Sequence, residues 1–346
     1  MKALQLTRWG KPAELRERAV PEPGPGQVLV KIGASGACHS DLHLMDWPEG
    51  RLQWKLPFTL GHENAGWVHE LGVGVTSVTK GDAVLVYGPW GCGRCRPCRL
   101  GRENYCEHAA EIGVAGGGLG LDGGMAEYML VPAARWLVPL GDLDPVRAAP
   151  LADAALTPYH AIAKSRDRLQ PGASAVVIGT GGLGQMAIQL LKATTGARVI
   201  AVDVDDRKLE VARQLGADVV VRSDAGAAEA IRRATDDVGA NVVFDMVGGD
   251  ATLALGAKSL CAEGRLVIIG LALGTLPMNY FSLPYGAEVA TSYWGTITEL
   301  MELVALARGK RIRIDVETAP LAEAPHVYER LRRGEIRGRA VIVPHQ

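Results

Sequence analysis

Four of the six cysteines fall in one short run, Cys92-x2-Cys95-x2-Cys98-x7-Cys106. Thiols this close can wrap a single tetrahedral ion, because Zn–S bonds of about 2.3 Å need ligands brought round by tight turns. Gly93 and Pro97 stand between the ligands, where a chain folding round a metal needs turn-forming residues. A closed four-thiolate shell leaves no position for water or substrate, so such an ion holds a loop and does no chemistry. Its excess negative charge could be offset by Arg94, Arg96, Arg99 and Arg102, although a solvated basic loop face accounts equally well for those arginines.

A second chemical signal is Gly179-Thr180-Gly181-Gly182-Leu183-Gly184, which follows an apolar run at 175–178 and opens a helix-like stretch. In that setting the glycines let backbone amides approach a pyrophosphate, whose charge the helix N-terminus favours. The next apolar run ends at Asp203, some twenty residues on, where a carboxylate can accept from the adenosine ribose 2′-OH. The same charge would repel a 2′-phosphate, so NAD is expected over NADP. Lys208 lies about one helical turn further along and could reach the ribose.

Cys38 and His62 stand in longer patterns. The first is Gly36-Ala37-Cys38-His39-Ser40-Asp41-Leu42-His43. The second runs from Gly61-His62-Glu63 to Gly81-Asp82-x-Val84 and satisfies G-H-E-x2-G-x-V-x3-G-x2-V-x5-G-D-x-V at every fixed position. With the four-cysteine loop, the glycine motif and Asp203, these residues resemble the zinc-containing medium-chain alcohol dehydrogenases along essentially the whole chain. The likeness is strongest to bacterial NAD-dependent members that oxidise secondary alcohols.

The resemblance implies a catalytic zinc on Cys38, His62 and a third ligand from the segment Ala149-Pro150-Leu151-Ala152-Asp153-Ala154, where the family most often has cysteine. Asp153 is the candidate, and Glu63, an occasional ligand in the family, is the alternative. One thiolate, one imidazole and one carboxylate balance Zn²⁺ as two thiolates and an imidazole would. Zinc acts as a Lewis acid that lowers the pKa of a bound hydroxyl, by about nine units for water. By the family's pattern Ser40 accepts the alcohol proton, which then passes by the nicotinamide ribose hydroxyl to His43. Asp41 would orient His62 by accepting its distal N–H. His39 and Arg339 match positions that meet the cofactor pyrophosphate, and Thr157 one beside the nicotinamide; Arg339 could equally be an ordinary charge near a strand start. Trp54, Leu119, Tyr293 and Trp294 are the candidates for lining the substrate pocket.

These residues need a scaffold of two kinds. Short β-like segments at 28–32, 66–70, 83–87 and 125–131, separated by Gly, Pro and Asp, make the first part β-rich. After a Pro/Gly connector at 138–145, strands expected at 175–178, 198–202, 219–221, 242–245 and 265–269 alternate with helices at 183–195, 207–215, 227–235 and 251–260. Such alternation predicts a doubly wound parallel sheet. After the segment 299–308, residues 339–343 read as a strand again, which can return to the first part. The expected fold is thus α/β: a Rossmann sheet plus a β-rich, GroES-like catalytic domain. The expected domains are residues 1–152, 153–295 and, returning to the first, 296–346.

A chain of 346 residues exceeds the length at which one core usually divides. A net charge of −1 argues against nucleic acid as a partner. Prolines and glycines interrupt the uncharged stretch 266–287, so no membrane helix is expected. Metal-bound thiolates and an N-terminus without a long apolar stretch point to the cytoplasm. The expectation is an NAD-dependent secondary-alcohol dehydrogenase with two zinc ions per chain, a small alcohol or ketone as substrate, and a homotetramer or, next, a homodimer. Alternatives are a related zinc enzyme for primary alcohols, aldehydes or polyols, a zinc-free reductase of the same fold, and a non-catalytic dinucleotide-binding protein.

Overall fold

A computed structural model describes residues 1–346 as two compact units. The first contains residues 1–156, 295–310 and 314–346; the second contains 157–294 and 311–313.

The first unit is built on a largely antiparallel sheet in the order Leu137–Pro139, Ala83–Val86, Glu63–Leu71, Val28–Gly36, Arg339–Val343, Val316–Pro320. Tyr128–Val131 also pairs with Val28–Gly36. A smaller sheet joins Glu14–Glu17, Lys2–Leu6 and Phe58–Thr59. One feature of register positions the chemistry. The end of the strand Val28–Gly36 lies between two others, with Gly36 opposite both Glu63 and Val341. Cys38, His62, Glu63 and Arg339 therefore meet at one end of the sheet, although sequence separates them widely. Gly36 is needed there: a Cβ would sit 1.8 Å from Glu63 Oε2, so only glycine lets that side chain cross the strand.

Leu4, Leu6, Leu42, Leu44, Phe58, Leu60, Met125 and Ile342 make the core beneath this end. The helix Ala324–Arg332 joins it through Ala324, Val327, Tyr328 and Leu331, the i, i+3, i+4, i+7 spacing of one helical face.

The second unit is a six-stranded parallel sheet: Val219–Arg222, Arg198–Asp203, Ser174–Ile178, Ala240–Asp245, Leu260–Ile268, Glu288–Thr291. This is the Rossmann order, with its switch point between the third and fourth strands as ordered here. Ser174–Ile178 is buried at every position, which is why its sequence reads as one apolar run. Helices Gly182–Thr194, Asp206–Gln214, Ala227–Ala234 and Asp250–Ser259 follow the first four strands in chain order.

The strands expected at 28–32 and 66–70 lengthen to Val28–Gly36 and Glu63–Leu71, and two other starts shift. The strand expected from 265 begins at Leu260, because a register shift between Ala240 and Val242 of its neighbour accommodates Cys261–Gly264. The strand expected from 125 begins at Tyr128, although Met125 and Ala126 already bond to the N-terminal strand. No helix is long and apolar enough to cross a membrane.

Candidate active site

The four clustered cysteines converge. Cys92 Sγ lies 3.9 Å from Cys98 Sγ, and Cys95 Sγ 3.9 Å from Cys106 Sγ. Four sulfurs about 2.3 Å from a tetrahedral ion would be about 3.8 Å apart, so the spacing fits a structural zinc. Burial raises the pKa of the Cys92 thiol, but the amides of Arg94 and Cys95 outweigh it and bring the group down to about 6, favouring the thiolate. Arg94, Arg96, Arg99 and Arg102 point to solvent. The cation drawn into the loop is Arg135, from outside the run, with Nη2 3.5 Å from Gly91 O and Nε 3.5 Å from Glu103 Oε1.

Cys38, His62 and Asp153 form the second convergent set, their ligand atoms all within 4.8 Å of one another. Asp153 Oδ2 is 3.6 Å from His62 Nε2 and 3.8 Å from Cys38 Sγ. Ligands of one zinc would stand about 3.4–3.5 Å apart, so small adjustments close the site around the metal. A thiolate, an imidazole and a carboxylate make a donor set suited to zinc, and three protein ligands leave a coordination position open.

Each ligand is fixed from behind. Cys38 caps the helix His39–Asp46, and Asp41, three residues in, accepts from the Cys38 amide at 3.0 Å. The other oxygen of Asp41 lies 3.2 Å from His62 Nδ1, which turns His62 Nε2 toward Cys38 and Asp153. Burial alone would lower the pKa of His62, but the Asp41 carboxylate overrides it and holds the group well above the ordinary histidine value. Metal binding there must displace a proton. Tyr328 donates to Asp41 Oδ2 at 2.9 Å. Burial, then the Asp41 charge beside it, holds its phenol well above the usual range, so it remains a donor.

Glu63 stands apart from the convergent set. Arg339 donates to it through Nε at 2.8 Å and Nη2 at 2.5 Å, and the Ala154 amide donates at 2.9 Å. Burial pushes the Glu63 carboxyl up, against the pull of the guanidinium. Arg339 is itself buried, and its Nη2 is 3.9 Å from Asp153 Oδ2. It is therefore no ordinary surface charge. The Glu63–Arg339 pair braces the segment that carries Asp153.

In the second unit, Gly179 ends its strand with φ +87° and a Cβ there would meet Val247 at 2.7 Å. Gly181 faces open space and caps the helix Gly182–Thr194. That bare helix start is where a pyrophosphate can approach the amides. Asp203 is buried; Oδ2 accepts from the amide and hydroxyl of Thr180, at 2.7 and 3.0 Å, and Oδ1 from the Asp205 amide. The carboxylate thus ties the second strand's end to the glycine turn, while each oxygen retains acceptor capacity. Lys208 is half-buried on the following helix.

Two family models match the chain: the alcohol dehydrogenase GroES-like domain over residues 24–142 and the zinc-binding dehydrogenase domain over residues 182–308. An NAD-dependent alcohol dehydrogenase of Sulfurisphaera tokodaii is 38% identical, with 99% of this chain and 100% of that one covered. A D-arabinose 1-dehydrogenase (NADP(+)) of Saccharolobus solfataricus is 35% identical, with 99% and 97% covered. Among solved structures, the alcohol dehydrogenase of Aeropyrum pernix has a TM-score of 0.92 at 39% identity, covering 99% of this chain and 100% of that one. Acetophenone reductase of Geotrichum candidum, in complex with NAD, has a TM-score of 0.86 at 32% identity, covering 99% and 96%. The chain belongs to the zinc-containing medium-chain alcohol dehydrogenase family.

The other residues singled out by the family pattern are found as follows. Ser40 Oγ is 3.6 Å from Cys38 Sγ, beside the metal set. His43 stacks on Trp47, and its Nδ1 is buried without a hydrogen-bond partner, an acceptor or donor left for a ligand. Burial pushes its pKa below the ordinary value, against the Asp46 charge. His39 is exposed and Thr157 buried. Trp54 and Leu119 are half-buried against the core of the first unit. Tyr293 and Trp294 meet edge-on at the end of the second unit, one exposed and one buried. Tyr328 carries no sequence signal: its helical spacing reads only as core, and the hydroxyl contact spans 287 positions.

Proposed function

We propose that this protein is an NAD-dependent zinc alcohol dehydrogenase that interconverts secondary alcohols and ketones. The observation that carries the reading is the convergence of Cys38, His62 and Asp153, with Ser40 beside them. When bound, zinc supplies Lewis acidity toward a hydroxyl or carbonyl oxygen, and NAD supplies the hydride acceptor. Cys38, His62 and Asp153 hold the metal, Asp41 orients His62, and Glu63 remains a reserve carboxylate behind Asp153. Ser40 Oγ takes the proton of the alcohol. His43, with an unpartnered Nδ1 and a pKa kept low by burial, is neutral near pH 7 and hands the proton to solvent. Gly179, Gly181, Gly182, Leu183 and Gly184 cradle the pyrophosphate. Asp203 and Lys208 hold the adenosine ribose, and Thr157 lies beside the nicotinamide. Trp54 and Leu119 shape the substrate side of the first unit. Cys92, Cys95, Cys98 and Cys106 hold the structural zinc.

A cytoplasmic setting and a homotetramer, with a homodimer next, are part of the same reading. Exposed Leu271, Leu273, Met278, Tyr280, Phe281 and Tyr285 support an assembled state, since monomers rarely leave so much apolar surface in one stretch.

Initial rates at 340 nm with matched secondary alcohols, primary alcohols and aldoses, each with NAD and NADP, test the proposal. Secondary alcohols with NAD should give the highest kcat/KM. A preference for aldoses would place the chain with sugar dehydrogenases, and a preference for primary alcohols or NADP would overturn the corresponding part of the proposal.

A further inference from the structure

Asp41 is fully buried, and its partners come from three places in the chain. One oxygen faces His62 Nδ1; the other accepts from the Cys38 amide and the Tyr328 hydroxyl. Two of these partners belong to metal ligands. The third comes from the helix Ala324–Arg332, which meets the ligand-bearing helix His39–Asp46 at two points. On the inner side Tyr328 bonds Asp41; on the outer side Arg332 pairs with Asp46 through contacts of 2.6 and 2.8 Å. Packing alone does not require a hydroxyl at 328. Val327 and Leu331 fill the same core, and phenylalanine would occupy the volume of the tyrosine ring. The hydroxyl has a distinct job: with the Cys38 amide it pins one oxygen of Asp41, so the carboxylate cannot rotate its other oxygen away from His62.

We infer that Tyr328 is a positioning residue for the catalytic metal, fixing the His62 ring through Asp41 and so coupling the C-terminal helix to metal retention. The inference rests on the proposed Cys38–His62–Asp153 zinc site. Partners of metal-bound histidine commonly change metal affinity by about 10–100-fold when removed. Tyr328 acts one bond further out, so the lower end of that range applies.

The test uses full-length, zinc-loaded protein and the chelator dipicolinate, with each zinc's release followed by a chromogenic indicator. Wild type should release two ions in separate phases, and His62→Ala should lack one of them. Tyr328→Phe should release that same ion about tenfold faster and leave release of the four-cysteine ion unchanged. Arg332→Ala, which cuts only the outer attachment of the helix, should leave both phases as in wild type. In an Asp41→Asn background, Tyr328→Phe should add nothing. The cobalt-substituted Tyr328→Phe enzyme should show shifted visible bands from the His62 site. Identical release from wild type and Tyr328→Phe overturns the inference while leaving the zinc site standing. Parallel acceleration of both phases with a lowered Tm reduces Tyr328 to a packing residue and also overturns it. A single zinc in wild type, held by the four cysteines, would remove the proposed catalytic site itself.

Discussion

Replacing Glu63 by glutamine probes the brace behind Asp153. The side chains of Glu63 and Arg339 are 0% and 7% exposed, so water cannot compensate either charge. Glutamine keeps the shape but loses the charge, and in either orientation its NH2 group meets a guanidinium donor, because Arg339 donates to both oxygens and the Ala154 amide to Oε1 as well. Removing one partner of a buried ion pair costs about 3–5 kcal/mol, because an uncompensated charge remains inside. For a unit of roughly 150–250 residues each kcal/mol moves Tm by about 2–4 °C, so Glu63→Gln should melt about 6–20 °C lower. Metal retention should suffer too. With Glu63 neutral, the remaining carboxylate near Arg339 is Asp153, whose Oδ2 is 3.9 Å away and is needed by the metal. Glu63→Gln/Arg339→Met removes both charges and should recover much of the lost Tm. Thermal melts and zinc analysis of the wild type, the single variant and the double variant measure these effects. A single variant melting within about 2 °C of wild type, with zinc fully retained, would refute the brace.

Asp203→Gly should lower kcat/KM for NAD by roughly 10–150-fold, the equivalent of one charge-assisted hydrogen bond, and move the NAD:NADP ratio toward NADP. An unchanged ratio would confine Asp203 to holding the Thr180 turn. His43 has a pKa below the ordinary value of about 6.5, so it is neutral and able to accept above that pH and charged and unable to accept once pH falls through its own pKa. Alcohol oxidation by wild type should therefore decline on the acid side below about pH 6.5, and His43→Ala should lose most near neutral pH and regain activity as pH or buffer base rises. Parallel pH profiles for the two enzymes would remove His43 from the proton path.

Much of the chemistry was legible in sequence because it is local. The four cysteines lie within one loop, and the glycine motif follows its strand directly, so spacing alone conveys the geometry. The inner parallel strands are visible because burial on both faces makes runs such as Ser174–Ile178 apolar, whereas the edge strand Glu288–Thr291, half-buried or exposed throughout, carries no such signal. Contacts across the sheet end were not legible. Glu63 and Arg339 are 276 positions apart, and neither residue type signals its partner. That pairing separates Glu63 from Asp153: Arg339 and the Ala154 amide take up Glu63, while Asp153 faces Cys38 and His62. Arg135, not the arginines among the cysteines, serves the structural loop, because its neighbour Trp136 stacks on Trp90 and brings it there. Short strands such as Lys2–Leu6 and Val316–Pro320 were missed: their polar positions break the apolar pattern, and pairing with distant strands supplies the order.

In the proposed mechanism a metal held by Cys38, His62 and Asp153 drives NAD-linked alcohol oxidation. Its most direct test is the rate of NADH formation from a secondary alcohol by Asp153→Ala, measured on a preparation whose zinc content is determined alongside. Zinc should fall from two ions per chain to one with the four-cysteine ion unchanged, and turnover should drop by at least about 100-fold, the scale expected when a catalytic metal site is disrupted. Wild-type turnover from Asp153→Ala, with either one zinc or two, would contradict it.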